Sequence, residues 1–254
     1  MKKLTLSIMV ISSLSTSLFA KADRALVREY MEISGTTETI ESINEQVTLG
    51  ITQTSAIYGK KPDVKKIKTL QKIFDPYKSV SSVENYMVKS FDNQNIKKII
   101  KFYKSPVGSS LTQASIDALN PNTASAMIHY VADLRDNPPS KQRVKVINEF
   151  ITALDMDAVV KDLFFEMFDY LNSQVEKSKR MPREKINQFM SMLNNSFEKQ
   201  MFLSSLYVYK DISDKDLKKA ISYYKSQSGK VEKSIAKDSM RKMLKDGFKR
   251  ARKK

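Results

Sequence analysis

Along this chain of 254 residues the apolar positions recur at intervals of three and four rather than two, the spacing of one helical face. The pattern is cleanest where Ile96, Ile99, Ile100 and Tyr103 fall at i, i+3, i+4 and i+7, with Lys97, Lys98, Lys101 and Lys104 on the other sides. Asp92 opens that helix. Pro106 ends it, because it cannot donate a backbone hydrogen bond and pushes Ser105 out of the helical region; a new helix then starts towards Leu111 and Leu119. Upstream, a first helix covers Arg24 to Met31 and breaks at Gly35. Thr36 or Thr37 caps a second that runs to about Tyr58, and Asp63 caps a third carrying Val64, Ile67, Leu70, Ile73 and Phe74. Ser81 with Glu84 reads as the capping box of a fourth. A helix over Thr123 to Leu134 leads into Asn137-Pro138-Pro139-Ser140, the clearest linker in the chain.

The pattern then repeats. Residues 86–108 and 207–229, offset by 121, share nine of 23 positions, among them Tyr103/Tyr224, Lys104/Lys225, Ser105/Ser226 and Gly108/Gly229. In the second segment the stripe is Leu217, Ala220, Ile221 and Tyr224, and Ser213 with Asp216 supplies the capping pair. Its turn reads Ser226-Gln227-Ser228-Gly229, without proline, so its break is expected to be softer or to vanish. Glu149-Phe150-Ile151 echoes Glu29-Tyr30-Met31. Met156 to about Val175 carries Val159, Val160, Leu163, Phe164, Met167 and Leu171 on one helix. Pro182 starts another that runs towards Asn194-Asn195, and a further helix covers Ser196 to about Tyr209. The fold class is therefore all-α: two homologous helical bundles in tandem, 23–136 and 137–254, of roughly five to six helices each, packed with pseudo-twofold symmetry.

Composition supports long helices, with six Gly, seven Pro and no Trp. Residues 1–22 read as a leader: Lys2 and Lys3, an apolar stretch from Leu4 to Phe19, then Ala20-Lys21-Ala22, which places the cut after Ala20 or Ala22. No later segment is long and apolar enough to span a bilayer, so the mature chain is expected in the periplasm. Cysteine is absent, which removes disulfides, thiolate nucleophiles and zinc-thiolate sites together.

The net charge is +16, almost all of it from 35 lysines against nine arginines. Such a surface attracts polyanions, and in the periplasm these are anionic lipid, lipopolysaccharide phosphate or cell-wall polymer rather than nucleic acid. Lysine also serves simply as a solvating residue. Charge concentrates in residues 230–254, at a net +8, where Val231, Ile235, Met240, Met243, Leu244 and Phe248 form an apolar face. Lys242, Lys245, Lys249, Arg250 and Arg252 are the candidate contacts with an anionic surface, and residues 248–254 are expected to fray, with a basic tail over 249–254.

The run Lys97 to Gly108 resembles the signature of a family of exported bacterial proteins known as DUF2059, in which a helix ends in phenylalanine-tyrosine, a basic residue and Ser-Pro-x-Gly. Phe102, Tyr103, Lys104, Ser105, Pro106 and Gly108 match it, and Tyr223, Tyr224, Lys225, Ser226 and Gly229 are a weaker second match. The resemblance implies an all-α fold and a periplasmic location, and it transfers no catalytic residue and no cofactor.

Candidate chemistry is sparse. Ser105 lacks the strand-to-helix frame of a nucleophile turn, and His129, the single histidine, is its only conceivable partner. The carboxylate pairs Asp155/Asp157, Asp133/Asp136 and Glu41/Glu45 suit helix starts and lysine pairing. Met190 and Met192 diverge on a helix, and Met240 with Met243 is weighed as a thioether site against core filling. Phe102 and Tyr223 sit about 100° from the buried stripe and are expected to line a groove or pack between helices. The expected function is non-enzymatic binding, without cofactor, of an envelope protein or an anionic envelope surface. The alternatives are a carrier of an apolar small molecule between the bundles and a weak hydrolase with a carboxylate site.

Overall fold

In the computed structural model, residues 21–252 are described except Tyr58, Lys60, Asn122 and Gln174. The stretch before Lys21 that is expected to be a leader, the expected end of the second helix at Tyr58 and the last two lysines lie outside the described residues. So do the side chains of Met156, Val159, Val160, Phe164, Met190 and Met192.

Regular structure among the described residues is helical: α1 Arg24–Ile33, α2 Thr36–Ile57, α3 Val64–Ile73, α4 Pro76–Ser90, α5 Asn93–Tyr103, α6 Pro106–Asp117, α7 Thr123–Asp133, α8 Lys141–Leu154, α9 Met156–Ser173, α10 Arg183–Val208, α11 Asp214–Lys225 and α12 Gln227–Arg252. Side-chain caps fix many of the starts. Asp23, Asp63, Asp92, Ser140 and Ser213 each accept a backbone N–H from the first turn of the helix that follows. Gly35 turns between α1 and α2 at φ 71°, and a Cβ there would also press on Ile116 at 3.1 Å.

Four expectations change. The fourth helix starts at Pro76, capped by Asp75, not at Ser81. An Asp-Pro start outranks the Ser81–Glu84 box, and Glu84 instead binds Arg24 and Arg28 of α1. The expected break near Asn194 to Ser196 is absent, and α10 is one helix of 26 residues, because asparagine lowers helix propensity by only about 0.7 kcal/mol and keeps its backbone donor, unlike proline. The helices divide seven to five between 23–136 and 137–254, not evenly. Residues 248–252 do not fray: Phe248 stacks on Tyr170 with ring centroids 4.0 Å apart, and α12 runs to Arg252.

The stripes predicted for α5 and α11 are buried, with Ile100 and Ile221 each 6% exposed. The helix corners after them send the chain across the molecule. One core gathers Val27, Tyr30, Ile73, Val83, Ile96 and Ile99, and is completed by Ile235, Met243 and Leu244 of α12. The other gathers Val146, Ile147, Phe150, Leu206, Leu217 and Ile221, and is completed by Leu111 of α6. Each core thus takes helices from the opposite half of the chain, the first also drawing in Tyr170 of α9. Gly247 allows α12 to pass close to α3, since a Cβ there would stand 2.5 Å from the Ile73 carbonyl oxygen. Burial pushes the Glu84 carboxyl up, but hydrogen bonds from Arg24 and Arg28 outweigh it and hold the group below the ordinary carboxylate range.

Candidate functional site

The motif residues build two helix corners. Ser105 adopts extended backbone, φ −74° and ψ 155°, between α5 and α6. Its Oγ accepts the Gly108 N–H at 3.2 Å and donates to the Phe102 carbonyl at 2.6 Å. Pro106 fits the first position of α6, where no donor is needed. Ser226 repeats the turn, φ −69° and ψ 166°, with its Oγ accepting the Gly229 N–H at 3.2 Å. The second break therefore does not soften. The serine cap and the glycine make the corner, and proline only reinforces it.

Both glycines are dictated by space. A Cβ on Gly108 would lie 2.2 Å from the Phe102 carbonyl oxygen and 2.7 Å from Tyr103 Cα. On Gly229 the matching distances are 2.3 Å to the Tyr223 oxygen and 2.6 Å to Tyr224 Cα. The first turn of each outgoing helix rests directly on the backbone of the incoming one.

The aromatic residues before the corners meet each other. Phe102 and Tyr223 stack with centroids 3.6 Å apart and planes at 4°, so neither lines an open groove. The Tyr103 and Tyr224 hydroxyls lie 3.4 Å apart. Tyr103 meets Tyr30 at 5.9 Å and 64°, and Tyr224 meets Phe150 at 6.1 Å and 63°, two nearly identical edge contacts.

Between them lies a carboxylate that stands in the sequence only as one charge on a basic helix. Glu232 of α12 is 3% exposed. Its Oε1 accepts from Tyr30 Oη at 3.0 Å and Tyr103 Oη at 2.6 Å, and its Oε2 accepts from Tyr223 Oη at 2.7 Å. Three phenols thus satisfy the acid and tie α1, α5, α11 and α12 together. Burial pushes the Glu232 carboxyl above its ordinary range, and the tyrosine hydrogen bonds only partly offset that. Burial first, and the negative potential of Glu232 second, push Tyr30, Tyr103, Tyr223 and Tyr224 upward. The signal that could have found this cluster is the repeat offset. Glu232 falls 121 residues after Leu111 and Phe150 falls 120 after Tyr30, so at each pair one position carries a polar group where the other is apolar.

The basic candidates separate. Lys242 is paired with Asp246 at 2.5 Å. Arg250 turns inward, donating from Nη2 to the Ile73 carbonyl at 2.7 Å and from Nε to that of Lys72 at 3.3 Å, and so caps the end of α3. Lys245, Lys249 and Arg252 remain exposed, with the Arg252 guanidinium 5.4 Å from the Tyr170 ring centre. His129 is exposed on α7, while the Ser105 hydroxyl is engaged at its corner. Met243 is buried and Met240 packs beside it in the core. Among the described residues, no group of three or more His, Cys, Asp or Glu is placed to hold a metal. Nor is any described helix long and apolar enough to cross a membrane.

Three clefts border α10, and two of them run along α6. One of about 600 Å³ is lined by Gln113, Asp117, Asn120, Tyr207, Lys210 and Asp211. Another of about 340 Å³ lies between α6 and α10 against Ala118, Phe197, Met201, Val208 and Tyr209.

An all-α fold turned at Ser-x-x-Gly corners and closed on a tyrosine cluster defines the class of this molecule. Residues 83–134, from within α4 through α7, match the model of the family described as an uncharacterized protein conserved in bacteria, DUF2059. The match covers the first corner, with Phe102, Tyr103, Ser105, Pro106 and Gly108, and does not extend to the second. No curated protein and no solved structure matches the chain.

Proposed function

We propose that the protein is exported to the periplasm and acts there as a non-enzymatic binder of an anionic envelope surface. The observation that carries this reading is the outer side of α12, where Lys245, Lys249 and Arg252 stay exposed while the inner side is consumed by packing. The net charge of +16 favours the same kind of partner. In this reading the two halves descend from one copied module, supported by the matching corners and ring pairs. The tyrosine cluster then serves as the joint that holds the surface in shape.

Vesicle co-sedimentation tests the binding. The purified protein is expected to pellet with phosphatidylglycerol-containing vesicles and less so at higher salt, because exposed charge is screened within about 10 Å at 0.1 M. Equal pelleting with phosphatidylcholine alone would overturn the reading.

Export has its own test. Ala22 is 3% exposed, and its N–H lies 3.0 Å from the Val88 carbonyl and 3.1 Å from that of Phe91. A cut after Ala20 preserves those bonds and a cut after Ala22 discards them. The intact mass of periplasmic protein is therefore expected to begin at Lys21; a start at Asp23 would show that the buried alanine is dispensable.

The apolar cleft between α6 and α10 supports a second reading, a carrier of a small apolar molecule. Native mass spectrometry of protein purified without detergent is expected to retain a bound small molecule under that reading.

A further inference from the structure

We propose that α3 and the C-terminal end of α12 form one cationic face that seats on the phosphate-bearing head groups of a lipid bilayer, with Tyr77 entering the interface. This rests on the anionic-surface reading above and gives it a location and a composition. Lys65, Lys68 and Lys72 lie at i, i+3 and i+7 on α3, opposite Leu70, Ile73 and Phe74, which pack into the core. Lys245, Lys249 and Arg252 lie at i, i+4 and i+7 on α12, opposite Met243 and Gly247. All six are exposed, and none forms an ion pair with a described residue.

The two stripes are remote in sequence and adjoin in space. The bonds from Arg250 to the carbonyls of Lys72 and Ile73, and the close pass at Gly247, hold them side by side. The acids nearby are occupied elsewhere: Asp63 caps α3 and pairs with Lys66, Asp75 caps α4 and pairs with Lys78, and Asp246 binds Lys242 and Ser82.

Charge alone does not single out this face, since Lys97, Lys98 and Lys101 are also exposed on α5. What distinguishes it from the lysine faces of α5 and α11 is apolar surface among the cations, a trait it shares with residues 171–189, where Arg183 is tied to Asp169. Val64 is 61% exposed and Tyr77 is 84% exposed, one near each end of α3, whereas α5 and α11 expose no large apolar side chain. Basic residues interleaved with an amphipathic aromatic ring fit the head-group region of an anionic bilayer. Five of the six cations are lysines, strongly hydrated point charges that suit mobile head groups better than the fixed, bidentate geometry of a folded acidic partner.

The test uses the full mature chain and vesicles of phosphatidylglycerol mixed with phosphatidylcholine. K65E/K68E/K72E and K245E/K249E are each expected to weaken binding by about tenfold or more, given the strength of basic residues close to an anionic surface. K97E/K98E/K101E carries the same change in charge as the first set and is expected to weaken binding by less than about threefold. The chain has no tryptophan, so Tyr77→Trp supplies a single reporter whose emission should shift to the blue with the anionic vesicles only. Circular dichroism checks that each variant is folded. If the wild type binds and the α5 set weakens it as much as the α3 set, or the tryptophan stays in water, this face is wrong while the broader reading stands. If the wild type itself ignores anionic vesicles but captures a soluble acidic protein, both fall.

Discussion

Gly108→Ala is expected to destabilise the protein by about 3 kcal/mol or more, towards the upper end for overpacking at a rigid contact. The added methyl has nowhere to go. It would stand 2.2 Å from a carbonyl oxygen and 2.7 Å from a Cα, both on the backbone of α5, and a backbone cannot rotate away as a side chain can. Relief requires opening the angle between α5 and α6, and α6 carries Leu111 into the second core. Gly229→Ala should cost a similar amount, because α12 carries Ile235, Met243 and Leu244 into the first core. For a chain of this size, losses of that order lower Tm by about 6–12 °C. Gly50→Ala is the control. It lies within α2 with open space where its Cβ would stand, and is expected to gain up to about 1 kcal/mol from helix propensity. Urea unfolding of the three variants measures all of this. A loss below about 1 kcal/mol at Gly108 would mean that the corner is soft and that the motif is kept for another reason.

Replacing Glu232 by leucine, the residue found 121 positions earlier, is expected to cost about 3–5 kcal/mol. The carbon skeleton fits a core, as Leu111 demonstrates, but the phenols of Tyr30, Tyr103 and Tyr223 lose their acceptor, and each unsatisfied buried hydroxyl costs about 1–3 kcal/mol. Adding Tyr30→Phe, which copies Phe150, should return about 1–2 kcal/mol of that loss, and a strictly additive double mutant would contradict the cluster as described.

The acid also leaves a mark in pH. Its folded pKa is raised, so the stability it contributes is fully present below the unfolded value near 4.3 and declines as pH rises through the folded value, by at most about 1.4 kcal/mol per pH unit. Glu84 has the opposite sign: its contribution is present above the unfolded value and is lost as pH falls through the lowered folded value. Subtracting the curve of Glu232→Gln, which retains a hydrogen-bonding side chain and cannot ionise, isolates the first effect. A difference that stays flat across the acid and neutral range would show that the buried carboxyl is not perturbed.

Local elements were readable wherever a cap and a stripe agreed. Asp63, Asp92 and Ser213 capped the helices they were expected to cap, because an N-cap bond closes within three residues and owes little to the rest of the molecule. Local signals mislead where two of them compete, as between Asp75-Pro76 and Ser81 with Glu84, and where no cap marks a boundary, as at Asn194 and Asn195 inside α10. The candidate site was half legible. Its two corners stood out as a repeat, whereas Glu232 read as one more charge on a basic helix.

The sequence by itself determined that the chain is helical, where it turns most sharply, and which sides of α5 and α11 are hidden, since periodicity and capping act over one or two turns. Only the tertiary structure decided that α6 and α12 complete cores in the opposite halves, that three tyrosines from three helices close on one acid, and that α3 lies beside the end of α12. The reason is that apolar burial has no direction of its own. A buried face specifies that it must be covered, and the angle at each corner specifies by what.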